Sequence, residues 1–141
     1  MPGKFNYELR HKYPHMIGDD SAVWQRFIIR FPDRFDTVDY DIKVGTGVDT
    51  NYITDPKYSS YWSNLTKKRI DVVAYKDKIA TIIEVKNKAS LFTLGQILGY
   101  KFLFTQSNPE LTSIQTLIVC SVISPDDISI LDHYKIDFIV V

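Results

Sequence analysis

Asp71, Glu84 and Lys86 stand out within one short stretch, KKRIDVVAYKDKIATIIEVKNKA (67–89), which is otherwise two apolar runs separated by Asp77 and Lys78. With Asp77–Lys78 as a two-residue turn, Lys76 pairs with Ile79, and stepping back along both strands puts Asp71 opposite Glu84. Facing residues of an antiparallel pair have Cβ atoms about 4.5–5.5 Å apart and point to one side of the sheet. Lys86, two residues beyond Glu84, shares that side. A four-residue loop keeps this register, whereas a three-residue loop turns Asp71 to the opposite face. Two facing carboxylates repel, and burial worsens the repulsion. A divalent cation compensates: Mg²⁺ takes oxygen ligands, typically one or two carboxylates with water and phosphate completing the shell. The backbone carbonyl of Val85 is a further candidate ligand. Lys86 at the rim is placed to hold a phosphate oxygen or to orient a metal-bound water. Those parts suit phosphodiester hydrolysis. The structural alternative is an Asp71–Lys86 ion pair with Glu84 facing solvent.

Several elements must position these groups. DDSAVWQRFIIRF reads as a helix with Asp19, Asp20 or Ser21 as N-cap and Pro32 beyond its end. TVDYDIKVG alternates as a half-buried strand. Residues 45–66 form a long connection carrying Tyr52, Tyr58, Tyr61 and Trp62; long connections are often functional. The hairpin spans 69–76 and 79–86. SLFTLGQILGYKFLFTQ follows as a helix, apolar at Leu94, Ile97, Leu98 and Phe102. SIQTLIVCSVI reads as a buried strand, SPDDISILDHYK as a short helix capped by Ser124 with Pro125 at its first position, and IDFIVV as a last strand. The order α-β-β-β-α-β-α-β predicts a single α/β domain over 1–141, a mixed sheet flanked by helices, with 1–19 as a flexible leading segment.

The run IDVVAY…IIEVKNKAS…LGQILGY resembles the PD-(D/E)XK nuclease superfamily, in its small RecB-like and Holliday-junction-resolvase-like members. The resemblance implies a restriction-endonuclease-like α-β-β-β-α-β core and covers roughly residues 20–140. It matches Asp71 to the motif aspartate, with Ile70 where the nominal proline stands, and Glu84 and Lys86 to the E-x-K half. Gln96 and Tyr100 match a Q-x-x-x-Y pattern on the next helix; at i, i+4 they share a helix face, and ordinary helix packing is the competing reading. The resemblance implies a deoxyribonuclease using Mg²⁺ or Mn²⁺, with Asp71, Glu84 and the Val85 carbonyl as metal ligands and Lys86, Gln96 and Tyr100 completing the site. Asp20 is the candidate third acid on the first helix, ahead of Asp19 and Glu8; helix capping is the competing use of Asp19 and Asp20. Gln25 occupies a position where an acid is expected. DNA is the implied partner, for a small prokaryotic or phage enzyme working as a homodimer or within a larger DNA-processing complex. The rival expectation is a non-catalytic nucleic-acid-binding or assembly module that retains the fold.

Composition narrows the classes. A chain of 141 residues suits one core. Seventeen basic and seventeen acidic side chains give no net charge, which argues against a general nucleic-acid coat protein. A local excess nonetheless gathers around the hairpin and the next helix, at Lys67, Lys68, Arg69, Lys76, Lys78, Lys86, Lys88 and Lys101. The lone Cys120 reads as a small buried hydrophobe and has no internal disulfide partner. The first residues are too polar for a signal peptide, and no apolar run approaches the ~20 residues that span a bilayer. A cytoplasmic location with no membrane partner is therefore expected. His11 and His15 in HKYPH lack a nearby third ligand and read as a solvated terminus rather than a metal site.

Overall fold

The computed structural model describes residues 3–16, 18–46, 55, 57 and 68–141. Most of the long connection, with Tyr52, Tyr58, Tyr61 and Trp62, lies outside the described residues, as does Lys67. The elements run β1 (Phe5–Asn6), α1 (Gly18–Arg30), β2 (Thr37–Val44), β3 (Lys68–Lys76), β4 (Ile79–Lys88), α2 (Leu91–Ser107), β5 (Ile114–Val122), α3 (Pro125–His133) and β6 (Asp137–Val140). The strands form one six-stranded sheet in the order β1-β2-β3-β4-β5-β6. Pairing is antiparallel from β1 to β4 and parallel from β4 to β6. The expected mixed α/β sheet is therefore present.

The hairpin register follows from its turn. Asp77 and Lys78 both adopt positive φ, 53° and 65°, as a type I′ turn demands to match strand twist. Lys76 consequently faces Ile79, and the ladder continues to Val72 opposite Ile83.

Helices cover both faces of the sheet. Val23, Trp24, Phe27 and Ile28 form the buried stripe of α1 and meet Val72, Ala74, Ile83, Val85, Leu117 and Val119 in one core. Trp24 Nε1 donates to Tyr40 Oη at 3.0 Å, which satisfies a polar atom that burial would otherwise penalise. On the opposite face Ile97, Tyr100 and Phe104 of α2 and Leu131 of α3 pack with Val73, Ile82, Ile118 and Cys120. Burial pushes the Cys120 thiol pKa up, in keeping with an inert core residue.

Three local expectations are corrected. The segment ahead of α1 is not a loose leader: β1 pairs with β2, and Tyr7, Tyr13 and Met16 are buried. The sheet therefore has one more strand than the sequence suggested; a two-residue strand is too short to show a period. On α2, Leu98 and Phe102 point outward, 48% and 63% exposed, because the 97/100/104 stripe faces the sheet and leaves them on the far side. Finally, Gly18 already belongs to α1, so Asp19 and Asp20 lie in its first turn and not at its cap. Among the described residues no helix is long and apolar enough to cross a membrane.

Candidate active site

The β3–β4 ladder reaches Val72–Ile83, and side chains take over at the next step. The Val85 N–H donates to Asp71 Oδ2 at 3.0 Å, and the Asp71 N–H approaches Glu84 Oε1 at 3.4 Å. On its other edge β4 stays in register with β5, Glu84 beside Ile118 and Lys86 beside Cys120. The two carboxyls therefore sit where β4 is held firmly on one side and opened on the other. In an extended strand a residue's N–H and C=O point to the same edge, so the Val85 carbonyl also faces this opening.

Glu84 is 1% exposed. Burial first, and the charge of Asp71 second, push its pKa up to about 9; the ammonium of Lys86 opposes the rise. Burial also raises Asp71, against the lowering effects of the Val85 N–H and Lys86. Lys86 Nζ lies 4.0 Å from Glu84 Oε2 and its side chain is part-exposed, so one cation faces two carboxyls. Without a further positive charge the pair retains a proton. The donor set, two oxygen-bearing acids and a carbonyl at a strand opening, suits a hard dication with oxygen ligands.

α2 closes the site from its own face. Gln96 Nε2 donates to Tyr100 Oη at 3.3 Å, the one-turn contact their spacing implies. Burial, then the charge of Glu84, raises the Tyr100 pKa. Gln96 Oε1 is buried with no hydrogen-bond partner. Beside this pair an open groove of about 470 Å³ runs between Lys68 and α2, walled by Phe92 and Tyr100.

Asp20 arrives from α1 in a different role from capping. Its Oδ1 accepts from the Asn87 N–H at 2.8 Å, tying the start of α1 to the end of β4, one residue past Lys86. Among the described residues no three His, Cys, Asp or Glu side chains converge as a metal cage. Glu8, Asp19 and Gln25 are exposed. The basic cluster divides: Lys68, Arg69, Lys86 and Lys88 lie at the site end of the hairpin, whereas Lys76 precedes its turn and Lys78 lies within it; Lys76 Nζ donates there to the Asp33 carbonyl at 2.7 Å.

Sequence reasoning missed one neighbouring cluster. Asp41 Oδ2 lies 3.0 Å from both Arg69 Nη1 and His15 Nε2. His15 is thus part of a polar network and not of a free terminus. No local signal in the sequence reports it: Asp41 reads as a solvated position of an alternating strand, and its partners lie far away in the chain.

No protein-family model matches the chain, and no curated protein matches its sequence. Among solved structures the chain is similar to EndoMS in complex with double-stranded DNA, at 9% identity and a TM-score of 0.48 over 94% of this chain and 49% of that one. It is also similar to the crystal structure of AF1548, a protein of unknown function, at 14% identity and a TM-score of 0.46 over 85% of this chain and 56% of that one. The chain spans about half the length of both.

Proposed function

We propose that this protein is a metal-dependent nuclease that hydrolyses phosphodiester bonds in DNA. The observation that carries the reading is the meeting of half-buried Asp71 with buried Glu84 beside Lys86 at the point where β3 and β4 part. Packing does not need two acids there: neighbouring positions of the hairpin are Val, Ile and Ala, and burying two carboxyls against each other is costly.

Asp71, Glu84 and the Val85 carbonyl would hold Mg²⁺ or Mn²⁺, which when bound polarises the phosphate and lowers the pKa of a coordinated water. Lys86 is not a ligand, because an ammonium has no lone pair. It reaches out from the buried acids and, part-exposed, meets the phosphate. There it stabilises the negative charge that develops as a water oxygen bonds to phosphorus and the opposite phosphorus–oxygen bond breaks. Gln96 and Tyr100 line the approach. Lys68, Arg69 and Lys88 supply positive charge for the backbone.

The rival is a nucleic-acid-binding module that kept the fold. It draws support from Asp20, whose carboxylate is engaged by the Asn87 N–H rather than joining a third-acid cage. Incubation of the purified protein with plasmid, branched and single-stranded DNA, in Mg²⁺, Mn²⁺ and chelator, separates the two. The nuclease cleaves at least one substrate with metal and none with chelator. Binding without cleavage under every condition favours the module.

A further inference from the structure

β2 contains a backbone conformation foreign to a strand. Asp41, the fifth of its eight residues, has φ 52°, a left-handed value that non-glycine residues seldom adopt within a strand. The β2–β3 ladder pairs Tyr40 with Val72 and Ile42 with Ile70, so Asp41 stands across from Asp71. Side-chain facing changes at this step on both strands. Tyr40 and Val72 belong to the α1-side core, whereas Ile42 and Ile70 pack in the α2-side core. In a regular strand residues two apart share a face; here both strands roll over, and Asp41 and Asp71 are the pivot.

The roll fixes the direction of the Asp71 carboxylate. It lies edgewise, toward the Val85 N–H of β4, instead of standing on either sheet face. Arg69 and His15 hold the Asp41 carboxylate in place and so maintain the unusual backbone. We infer that Asp41 is a positioning residue whose left-handed backbone, held by Arg69 and His15, aims Asp71 at Glu84 and Val85. The inference rests on the metal-site reading only for its consequence, not for its geometry.

The test compares Asp41→Gly, which keeps access to positive φ, with Asp41→Val, which favours regular strand. Both lose the Arg69–His15 clamp, so they differ chiefly in backbone preference. Two quantities are read: hydrogen exchange of the Val85 amide without metal, and Mn²⁺ affinity by titration. Asp41→Gly should keep Val85 protected and bind Mn²⁺ within about threefold of wild type, whereas Asp41→Val should lose protection and bind about 10- to 100-fold more weakly, the usual effect of losing a ligand-orienting partner. Equal behaviour of the two variants in both measurements would overturn the inference, whether both match wild type or both fail. If Asp41→Val does not fold, Asp41→Ala makes the same comparison. Exchange of the Val85 amide needs no metal. A wild-type protein that ignored Mn²⁺ would therefore defeat the nuclease reading, while the exchange rates would still decide the role of Asp41.

Discussion

The N–H of Val85 donates to Asp71 Oδ2 across 3.0 Å at the step where β3 and β4 cease to pair. A carboxylate thus does the work of a backbone carbonyl, and it does so beside a second acid, Glu84. Structural and chemical demands on Asp71 can therefore be separated by substitution.

Asp71→Asn retains an oxygen acceptor for Val85 but removes the charge next to Glu84. Without metal it should equal or exceed wild type in stability, by up to about 1 kcal/mol, and it should lose most Mn²⁺ affinity. Asp71→Ala leaves the N–H of the fully buried Val85 without a partner, which should destabilise by about 1–3 kcal/mol. Denaturant melts of the three metal-free proteins check this. Equal losses for Asn and Ala would show that the charge next to Glu84 is not a burden.

The raised pKa of Glu84 links folding to protons. Its folded value is about 9 against 4.5 ordinarily, so in this window the folded state holds a proton that the unfolded chain has released. The contribution is full below the ordinary carboxyl range and is lost as pH rises toward 9. A single proton held this way gives stability a downward slope of at most about 1.4 kcal/mol per pH unit. Glu84→Gln should flatten that slope between pH 5 and 9, as should saturating Mn²⁺, which displaces the proton. Melting curves across this range, with and without Mn²⁺, provide the measurement. A slope unchanged by either treatment would place the linked proton elsewhere.

The turn offers a test of the register without touching the site. Lys78 holds φ 65°, where a side chain is unfavourable and glycine is not. Lys78→Gly should raise stability by about 0.5–1 kcal/mol, and Lys78→Val should lower it by a similar or larger amount, both read from denaturant midpoints. The opposite ranking would argue against a type I′ turn and against the register that runs from Lys76 opposite Ile79 to Val72 opposite Ile83.

The approach of Asp71 to Glu84 was legible in the sequence because strand arithmetic from a two-residue turn is local, and Asp77–Lys78 anchors the register as far as Val72 opposite Ile83. The shared sheet face expected for the two acids was not met, because the ladder ends there and the Asp71 carboxylate turns edgewise to the Val85 N–H. Ser124 was also legible, its hydroxyl accepting from the Asp127 N–H at 3.2 Å as an N-cap. What escaped was nonlocal. The left-handed Asp41 depends on His15 and Arg69, distant in sequence, and nothing in TVDYDIKVG reports on them. Asp20 looked like a cap because capping is a local use of aspartate, whereas its partner, the Asn87 N–H, is on another element. The inward face of α2 was misjudged because the helix is apolar nearly all round, so periodicity could not choose between Leu98 and Tyr100.

Lys86 carries the central claim, and one comparison tests it most directly: DNA cleavage and Mn²⁺ affinity measured side by side for wild type and Lys86→Ala. Lys86 lies 4.0 Å from Glu84 but is no ligand. Its removal should leave Mn²⁺ binding intact or slightly tighter, and should slow cleavage by about 10²–10³ by withdrawing a positive charge from the transition state. Lys86→Arg should recover little, since a planar fork does not replace a compact ammonium. Wild-type protein that cleaves DNA with metal, beside a Lys86→Ala variant that cleaves it equally fast, would contradict the account and move the chemistry away from Asp71, Glu84 and Lys86.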